Sequence, residues 1–321
     1  MYINESSVVM LGEKQKVIVL IGPTAVGKTK LSIEIAKKCN AEVISGDSMQ
    51  IYRGMDIGTA KITEEEMEGI PHHLIDIKNP DESFSVAEFQ TLVREKISQI
   101  HARGKVPMIV GGTGLYIQSV IYDYQFAEDK KDSAVKWELE QLANIKGIEF
   151  LYEKLQKVDP ESAKTIHKNN ERRVIRALEV YEETGKKFSD YIKEQSNELM
   201  YDVILIGLTM DREQLYSRIN SRVDLMVNEG LIEEVQSLYN QGIRDVQSIQ
   251  AIGYKELYAY LEGEVSLEEA IEQLKINSRR YAKRQLTWFR NKMPVHWFDV
   301  TGDKFHETFT EIFTYIAGKL R

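Results

Sequence analysis

An α/β fold is expected from this sequence: a doubly wound parallel sheet into which a mostly helical segment is inserted. Three features point to it. Short β-branched apolar runs end in glycine and give way to helical patterns, at Lys16–Ile21 before Gly22 and at Pro107–Val110 before Gly111 and Gly112, the alternation from which parallel sheets are built. From about Glu128 to Tyr201 the strand pattern disappears. A buried-type run then returns at Val203–Leu208, so the helical stretch interrupts a sheet that resumes after it.

The first strand, Lys16–Ile21, leads through a glycine-rich turn into a helix over Thr29–Lys38, and Ala41–Ser45 forms the second strand. A helix is predicted from Ser85 to about Arg103, because Ser85 and Glu88 have capping-box spacing and His101 and Arg103 suit its negative end. Pro107–Val110 is the next strand. Within the insertion, Val135, Leu139 and Leu142, then Leu151 and Leu155, then Val174, Ala177, Leu178 and Tyr181 recur at helical spacing, and Gly185 ends the last helix. After the returning strand come helices over Gln214–Asn228, Leu231–Tyr239, Lys255–Leu261 and Ser266–Phe289, with Ser266 and Glu269 again spaced as a capping box. Val295–Val300 is a late strand suited to a sheet edge. The expected domains are therefore the first part of the core at 14–127, a helical insertion at 128–200, and the core completion with basic C-terminal helices at 201–321. A chain of 321 residues fits about two domains of ~150 residues each.

With 42% hydrophobic and 29% charged residues, the composition is that of a folded globular protein leaning towards helix, not of a disordered chain. Cys39 is the only cysteine, which excludes an intrachain disulfide and a thiolate metal cluster and fits a reducing compartment; it reads as a buried small hydrophobe. Glu5 and the charge-split apolar runs Val8–Leu11 and Val17–Ile21 fit neither a signal peptide nor a membrane span, so a cytoplasmic protein without a membrane partner is expected. The net charge of −8 argues only weakly against nucleic acid. An RNA backbone responds to the local field of a basic stripe, not to the whole-chain average.

Gly22-Pro23-Thr24-Ala25-Val26-Gly27-Lys28-Thr29 satisfies the P-loop pattern G-x-x-x-x-G-K-[ST] between a predicted strand and a predicted helix, as the mechanism requires, which makes the core P-loop NTPase-like. Its glycines let successive N–H groups point inward at the positive end of the helix. Lys28 supplies a point charge for terminal phosphates, and the Thr29 hydroxyl can hold Mg²⁺. The motif specifies a diphosphate or a triphosphate without saying which. Most such loops bind ATP or GTP, so a kinase or NTPase stays open at this point.

Asp47 directly follows Ala41–Ser45 and should project from the carboxyl end of a strand, where open α/β sheets bind ligands. Ser48, Met49 and Gln50 are its neighbours. A carboxylate there can accept a proton from an incoming nucleophile or simply cap the next turn. Gly111-Gly112-Thr113-Gly114 occupies the same edge. It lets backbone amides and the Thr113 hydroxyl approach a phosphate, although a glycine turn that only joins strand to helix is as common.

Taken together with further segments, these motifs resemble those of the tRNA dimethylallyltransferases, also called isopentenyl-tRNA transferases. The matching stretches are GPTAVGKT at Gly22–Thr29, SGDSMQIYRGMDIGTAK at Ser45–Lys61, PHHLID at Pro71–Asp76, GGTGLYI at Gly111–Ile117, RRVIRALEV at Arg172–Val180, QAIGYKE at Gln250–Glu256 and RRYAKRQLTWFRN at Arg279–Asn291. They span nearly the whole chain, and the combination is far more specific than the P-loop alone. The resemblance implies that the P-loop holds the diphosphate of dimethylallyl diphosphate rather than ATP. It also implies that Asp47 is the base for the exocyclic N6 amine of an adenosine next to the anticodon in tRNA. That amine is a poor nucleophile because its lone pair is delocalised into the ring, so removing its proton as the C–N bond forms lowers the barrier. Lys28, Thr29, Mg²⁺, Thr113 and backbone amides would stabilise the departing diphosphate. Arg218 and Arg222 lie at i and i+4 on a predicted helix and share one face, which disfavours the helix slightly unless an anion or acid compensates. By resemblance at least one reaches the diphosphate; pairing with Asp211 or Asp224 is the alternative.

Between Lys275 and Asn291 lie Lys275, Arg279, Arg280, Lys283, Arg284 and Arg290 without a single Asp or Glu. Tyr281 and Trp288 interleave as faces for unstacked bases. Such a run usually means a solvated helix face, yet partner acids are missing from the stretch. The resemblance carries tRNA contacts to this segment, to Gln250, Gly253, Tyr254 and Lys255, and at the reacting end to Asp47, Ser48, Met49, Gln50 and Thr113. Arg172, Arg173 and Arg176 form a second basic group in the insertion, with Arg172 and Arg176 on one face. An adenosine in the anticodon loop would have to flip out of its stack to reach Asp47. His72 and His73 are adjacent, so they point apart and read as structural rather than as a metal pair. The expected partners are the tRNA anticodon stem-loop and dimethylallyl diphosphate, with Mg²⁺ as cofactor and the chain acting as a monomer. The rival readings are a small-molecule or nucleoside kinase and a noncatalytic RNA-binding protein that keeps a P-loop as a switch.

Overall fold

The computed structural model describes residues 14–126, 133–196, 198–302 and 305–320, without the side chains of residues 305 and 306. The segment before residue 14, expected above to be neither a signal peptide nor a membrane span, lies outside them, as do residues 127 and 128, where the first domain boundary was expected. Contacts divide the chain into two units, one running to Tyr122 and resuming at Leu199, the other Asp123–Glu198.

In the first unit the order is β1 (Lys16–Ile21), α1 (Lys28–Cys39), β2 (Ala41–Ser45), α2 (Glu64–Met67), β3 (His72–His73), α3 (Val86–Ala102), β4 (Val106–Gly111) and α4 (Gly114–Ile121). The second unit holds α5 (Ala134–Lys146), α6 (Ile148–Val158), α7 (Pro160–Thr165), α8 (Glu171–Thr184) and α9 (Phe188–Lys193). The first unit then resumes with β5 (Asp202–Thr209), α10 (Arg212–Asn228), α11 (Leu231–Asn240), a short 3-10 turn at Ser248–Gln250, α12 (Tyr254–Leu261), α13 (Leu267–Lys292), β6 (His296–Asp299) and α14 (Phe305–Leu320).

The strands form one parallel sheet in the order β3-β2-β4-β1-β5-β6. β1 is central, and Val17–Ile21 are fully buried. Its alternation sends Val17, Val19 and Ile21 into one hydrophobic layer and Ile18 and Leu20 into the other, as the two-residue period of a strand covered on both faces requires. Because every strand runs the same way, the loops after β1, β2 and β4 emerge on one edge. Two-residue β3 carries too little pattern to be read from sequence; it pairs with β2 through Val43 and Ile44. His73 Nε2 bonds Glu42 at 2.7 Å and His72 Nδ1 bonds the Ile70 carbonyl at 2.8 Å.

The capping signals divide. Ser266 and Glu269 make a reciprocal box at the start of α13. At α3, Ser85 accepts the Glu88 N–H at 3.1 Å, but the Glu88 carboxylate turns to Lys78 at 2.8 Å, so half the expected box is missing. Cys39 is partly exposed rather than buried.

The second unit has its own core, built on Leu139, Leu151, Leu155, Val174, Ala177 and Leu178. Buried Asp159 caps α7 through the Ser162 N–H and also accepts the Ser189 N–H and hydroxyl, which ties α9 to it. Among the described residues no helix is long and apolar enough to cross a membrane.

Candidate active site

The loops after β1, β2 and β4, together with α10, the turn before α12 and α13, enclose a cavity of about 940 Å³ in the first unit. One end of it is formed by the P-loop. Gly27 caps α1 at φ 104°, a left-handed conformation that a side chain would strain. The Lys28 ammonium donates to the carbonyls of Gly22 at 3.0 Å and Pro23 at 2.8 Å. Burial lowers its pKa to about 8, with Arg222 adding to the shift and Asp47 opposing it. Thr29 lines the cavity at the first turn of α1, exposed to it.

Asp47 lines the same cavity, two residues past β2 and close enough to Lys28 for their charges to interact. Its Oδ1 accepts the Met49 N–H at 2.8 Å. Burial raises its carboxyl above the usual range, and the Met49 and Gln50 amides, Lys28 and Arg222 only partly offset that. The result is a more basic carboxylate, still held in place by a backbone bond. Arg218 and Arg222 both line the cavity. Asp224 bonds Lys275 at 2.5 Å and Asp211 caps α10 through the N–H groups of Glu213 and Gln214, while the acids whose charge acts on Arg222 are Glu66, Asp47 and Glu229. Ser48 and Met49 also line the cavity, whereas the Gln50 side chain is spent on the Ser45 hydroxyl and the carbonyls of Thr59 and Ala60.

The Gly111–Gly114 turn departs from the sequence reading. A Cβ on Gly112 would lie 2.0 Å from Gln285 Nε2, and one on Gly114 2.2 Å from Trp288 Cδ1. These two glycines seat α13, while Gly111 and Gly112 also line the cavity. The Thr113 hydroxyl is buried beside the Tyr281 hydroxyl, which interacts with it, and finds no other partner among the described residues.

Several expected RNA contacts need correction. Tyr254 is fully buried, and its hydroxyl donates to Glu234 at 2.6 Å, so it has no face to offer a base. Trp288 is partly buried against Gly114 and is not a free stacking surface. The basic run does have partner acids, contributed from elsewhere: Asp224 holds Lys275, and Glu272 lies 3.4 Å from Arg279, which also bonds Asn220. Arg280, Lys283 and Arg284 remain exposed, with Arg284 over the Tyr281 ring. Gln250, Gly253 and Lys255 line the cavity. In the second unit Arg172 and Arg173 are exposed, while Arg176 bonds buried Glu179 at 2.9 Å.

Two residues escaped sequence reasoning. Gln285 joins two site loops. Glu234 accepts the N–H groups of Asp56, Ile57 and Gly58 as well as the Tyr254 hydroxyl, and so fixes the loop whose Gly58, Thr59 and Ala60 wall the cavity. The available signal for Gln285 was a polar residue on the apolar stripe of Ala282 and Phe289. Glu234 gave none.

The family model described as IPP transferase matches residues 50–292, and a tRNA dimethylallyltransferase of Bacillus cereus (strain AH187) is 67% identical over 309 residues, 96% of either chain. The chain belongs to the IPP transferase family. Among solved structures, a full-length tRNA isopentenylpyrophosphate transferase from Bacillus halodurans is 58% identical with a TM-score of 0.73, covering 96% of this chain and 97% of that one. A eukaryotic dimethylallyltransferase acting on tRNA is 34% identical with a TM-score of 0.80, covering 92% of this chain and 77% of that one. The IPP transferase match begins after the P-loop and Asp47; those residues fall within the longer similarity to whole relatives.

Proposed function

We propose that this chain transfers the dimethylallyl group of dimethylallyl diphosphate to the N6 amine of an adenosine next to the anticodon in tRNA and releases diphosphate. One observation carries the reading: a single cavity holds the phosphate-loop cations and a basic carboxylate. Membership of the IPP transferase family and the names of the relatives supply the donor and acceptor classes.

As the amine nitrogen bonds the prenyl carbon and the carbon–oxygen bond to diphosphate breaks, Asp47 takes the N6 proton. Lys28, Arg222 and Arg218, with P-loop amides and the Thr113 hydroxyl, receive the charge that develops on diphosphate. Among the described residues no cluster of three or more His, Cys, Asp or Glu could cage a metal. Thr29, exposed at the cavity in the first turn of α1, would be the residue that holds Mg²⁺ beside the diphosphate. Bound Mg²⁺ would neutralise the leaving group.

The adenine enters past Ser48, Met49, Gln250, Gly253 and Lys255. Arg280, Lys283 and Arg284 of α13, and Arg172 and Arg173 of the helical insertion, hold the tRNA backbone electrostatically. The protein acts as a cytoplasmic monomer.

Asp47→Asn keeps an oxygen for the Met49 N–H while removing the base. It should bind donor and tRNA as the wild type does, and transfer should fall about 10²–10⁴-fold in a single-turnover assay. Transfer at the wild-type rate would strip Asp47 of the role.

A further inference from the structure

Gln285 lies on the buried stripe of α13, between Ala282 and Phe289, and is 5% exposed. A primary amide in such a place needs partners at both ends, because an unpaired buried donor or acceptor is costly. It finds them on two different loops. Its Oε1 accepts the Thr24 N–H of the P-loop at 3.1 Å, and its Nε2 donates to the Gly112 carbonyl at 3.0 Å. The reverse orientation would set N–H against N–H and oxygen against oxygen, so the network itself fixes the assignment.

The position matters as much as the bonds. The ladder between β1 and β4 ends at Ile21 and Gly111. Gln285 continues the connection beyond that point, into two loops that line the cavity. Its seat is close enough that a side chain at position 112 has no room. Next in the chain is Thr113, whose buried hydroxyl, like Gln285, interacts with the Tyr281 hydroxyl.

We propose that Gln285 is a positioning residue of the donor site. It sets the spacing between the P-loop and the Gly112–Thr113 turn, so that a diphosphate is gripped by both loops at once. The inference rests on the reading that the P-loop holds the donor's diphosphate. Loops fixed before the ligand arrives spare it the cost of ordering them, so losing the bridge weakens the hold on the donor more than the hold on RNA. The same helix presents Arg280 and Lys283 to solvent, and neither bonds the amide, whose partners are Thr24 and Gly112.

The test is steady-state transfer by wild type, Gln285→Met and Gln285→Glu, with donor and tRNA varied separately and inorganic pyrophosphate as competitor. Thermal unfolding is followed in parallel. Methionine approximates the shape and removes both bonds; it should raise the KM for dimethylallyl diphosphate and the inhibition constant for pyrophosphate about ten-fold. The KM for tRNA should stay within about two-fold. Glutamate can still accept the Thr24 N–H but turns a second oxygen on the Gly112 carbonyl, so it should be worse than methionine for the donor. If Gln285→Met does not fold, the isosteric glutamate variant carries the comparison. An unchanged donor KM with only a lower melting temperature, or an equal rise in both KM values, would overturn the proposal. A wild type that pyrophosphate fails to inhibit would sink the diphosphate reading and this inference with it, an outcome visible without any variant.

Discussion

Lys28 and Asp47 face one cavity and perturb each other, and the signs of their shifts set a pH dependence. Lys28 is held down to about 8 by burial and Arg222, so in the free enzyme its cation is present below that pH and lost above it. Asp47 is raised by burial, so its basic form is lost as pH falls, at a higher pH than an ordinary carboxylate. The kcat/KM for the donor reports the free enzyme and should be flat near neutrality, fall as pH rises through about 8, and fall again on the acid side. A profile flat through pH 9 would show that Lys28 does not titrate there. Both residues were legible because each sits at a fixed step from a strand end. Gln285 was not: its bond to Thr24 spans 261 positions, and a lone Gln within a basic stretch says nothing about what it will meet. The corrected aromatics have the same cause. Trp288 looks like a stacking face in sequence and Tyr254 like a tRNA contact by resemblance, and only the packing of Gly58 and Gly114 against them shows they are spent.

At the scale of elements, the hydrophobic pattern carried most of the fold. Helix and strand positions within the sheet unit follow apolar period and caps, and the long basic helix α13 begins at its predicted cap. What the pattern could not carry is edge structure held by charge. Glu42 on β2 is 3% exposed and is met by His73 of β3 and by Arg103 and Lys105 before β4. Burial pushes its carboxyl up, but the bonds to Arg103, His73 and Lys105 outweigh it and hold it at about 2. A carboxyl depressed on folding contributes stability above its unfolded pKa, and that contribution is lost as pH falls from about 4.5 towards 2. Glu42→Gln should therefore cost roughly 1–3 kcal/mol at pH 7, the lower part of the range reflecting partly exposed Arg103 and Lys105. Chemical denaturation of both proteins across pH checks this, and a difference that does not shrink below pH 4 would contradict it.

Over the whole molecule, the point where the sheet unit is interrupted is closed by backbone. The Met200 N–H donates to the Ile121 carbonyl at 2.8 Å, and Tyr122 bridges Leu199 in antiparallel fashion. The two ends of Asp123–Glu198 therefore leave and re-enter the first unit side by side, and each unit has its own hydrophobic cluster. Replacing 123–198 by a short Gly-Ser turn should leave a cooperatively folding protein that binds pyrophosphate within about three-fold of wild type, since no cavity residue is removed. Transfer to tRNA should fall at least about 100-fold as the contacts proposed for Arg172 and Arg173 disappear. Loss of pyrophosphate binding would mean that the sheet unit depends on the insertion. The helical character of that segment was readable from its spacing, whereas its closure by a backbone bridge was not, because a two-residue pairing leaves no pattern. The central claim is prenyl transfer without nucleotide, and it is tested most directly by incubating the protein with tritiated dimethylallyl diphosphate, unmodified tRNA and Mg²⁺ in the absence of ATP. Label on an adenosine next to the anticodon, with stoichiometric diphosphate released, is the predicted result; no label on tRNA, with ATP hydrolysed in a parallel reaction that contains it, would contradict it.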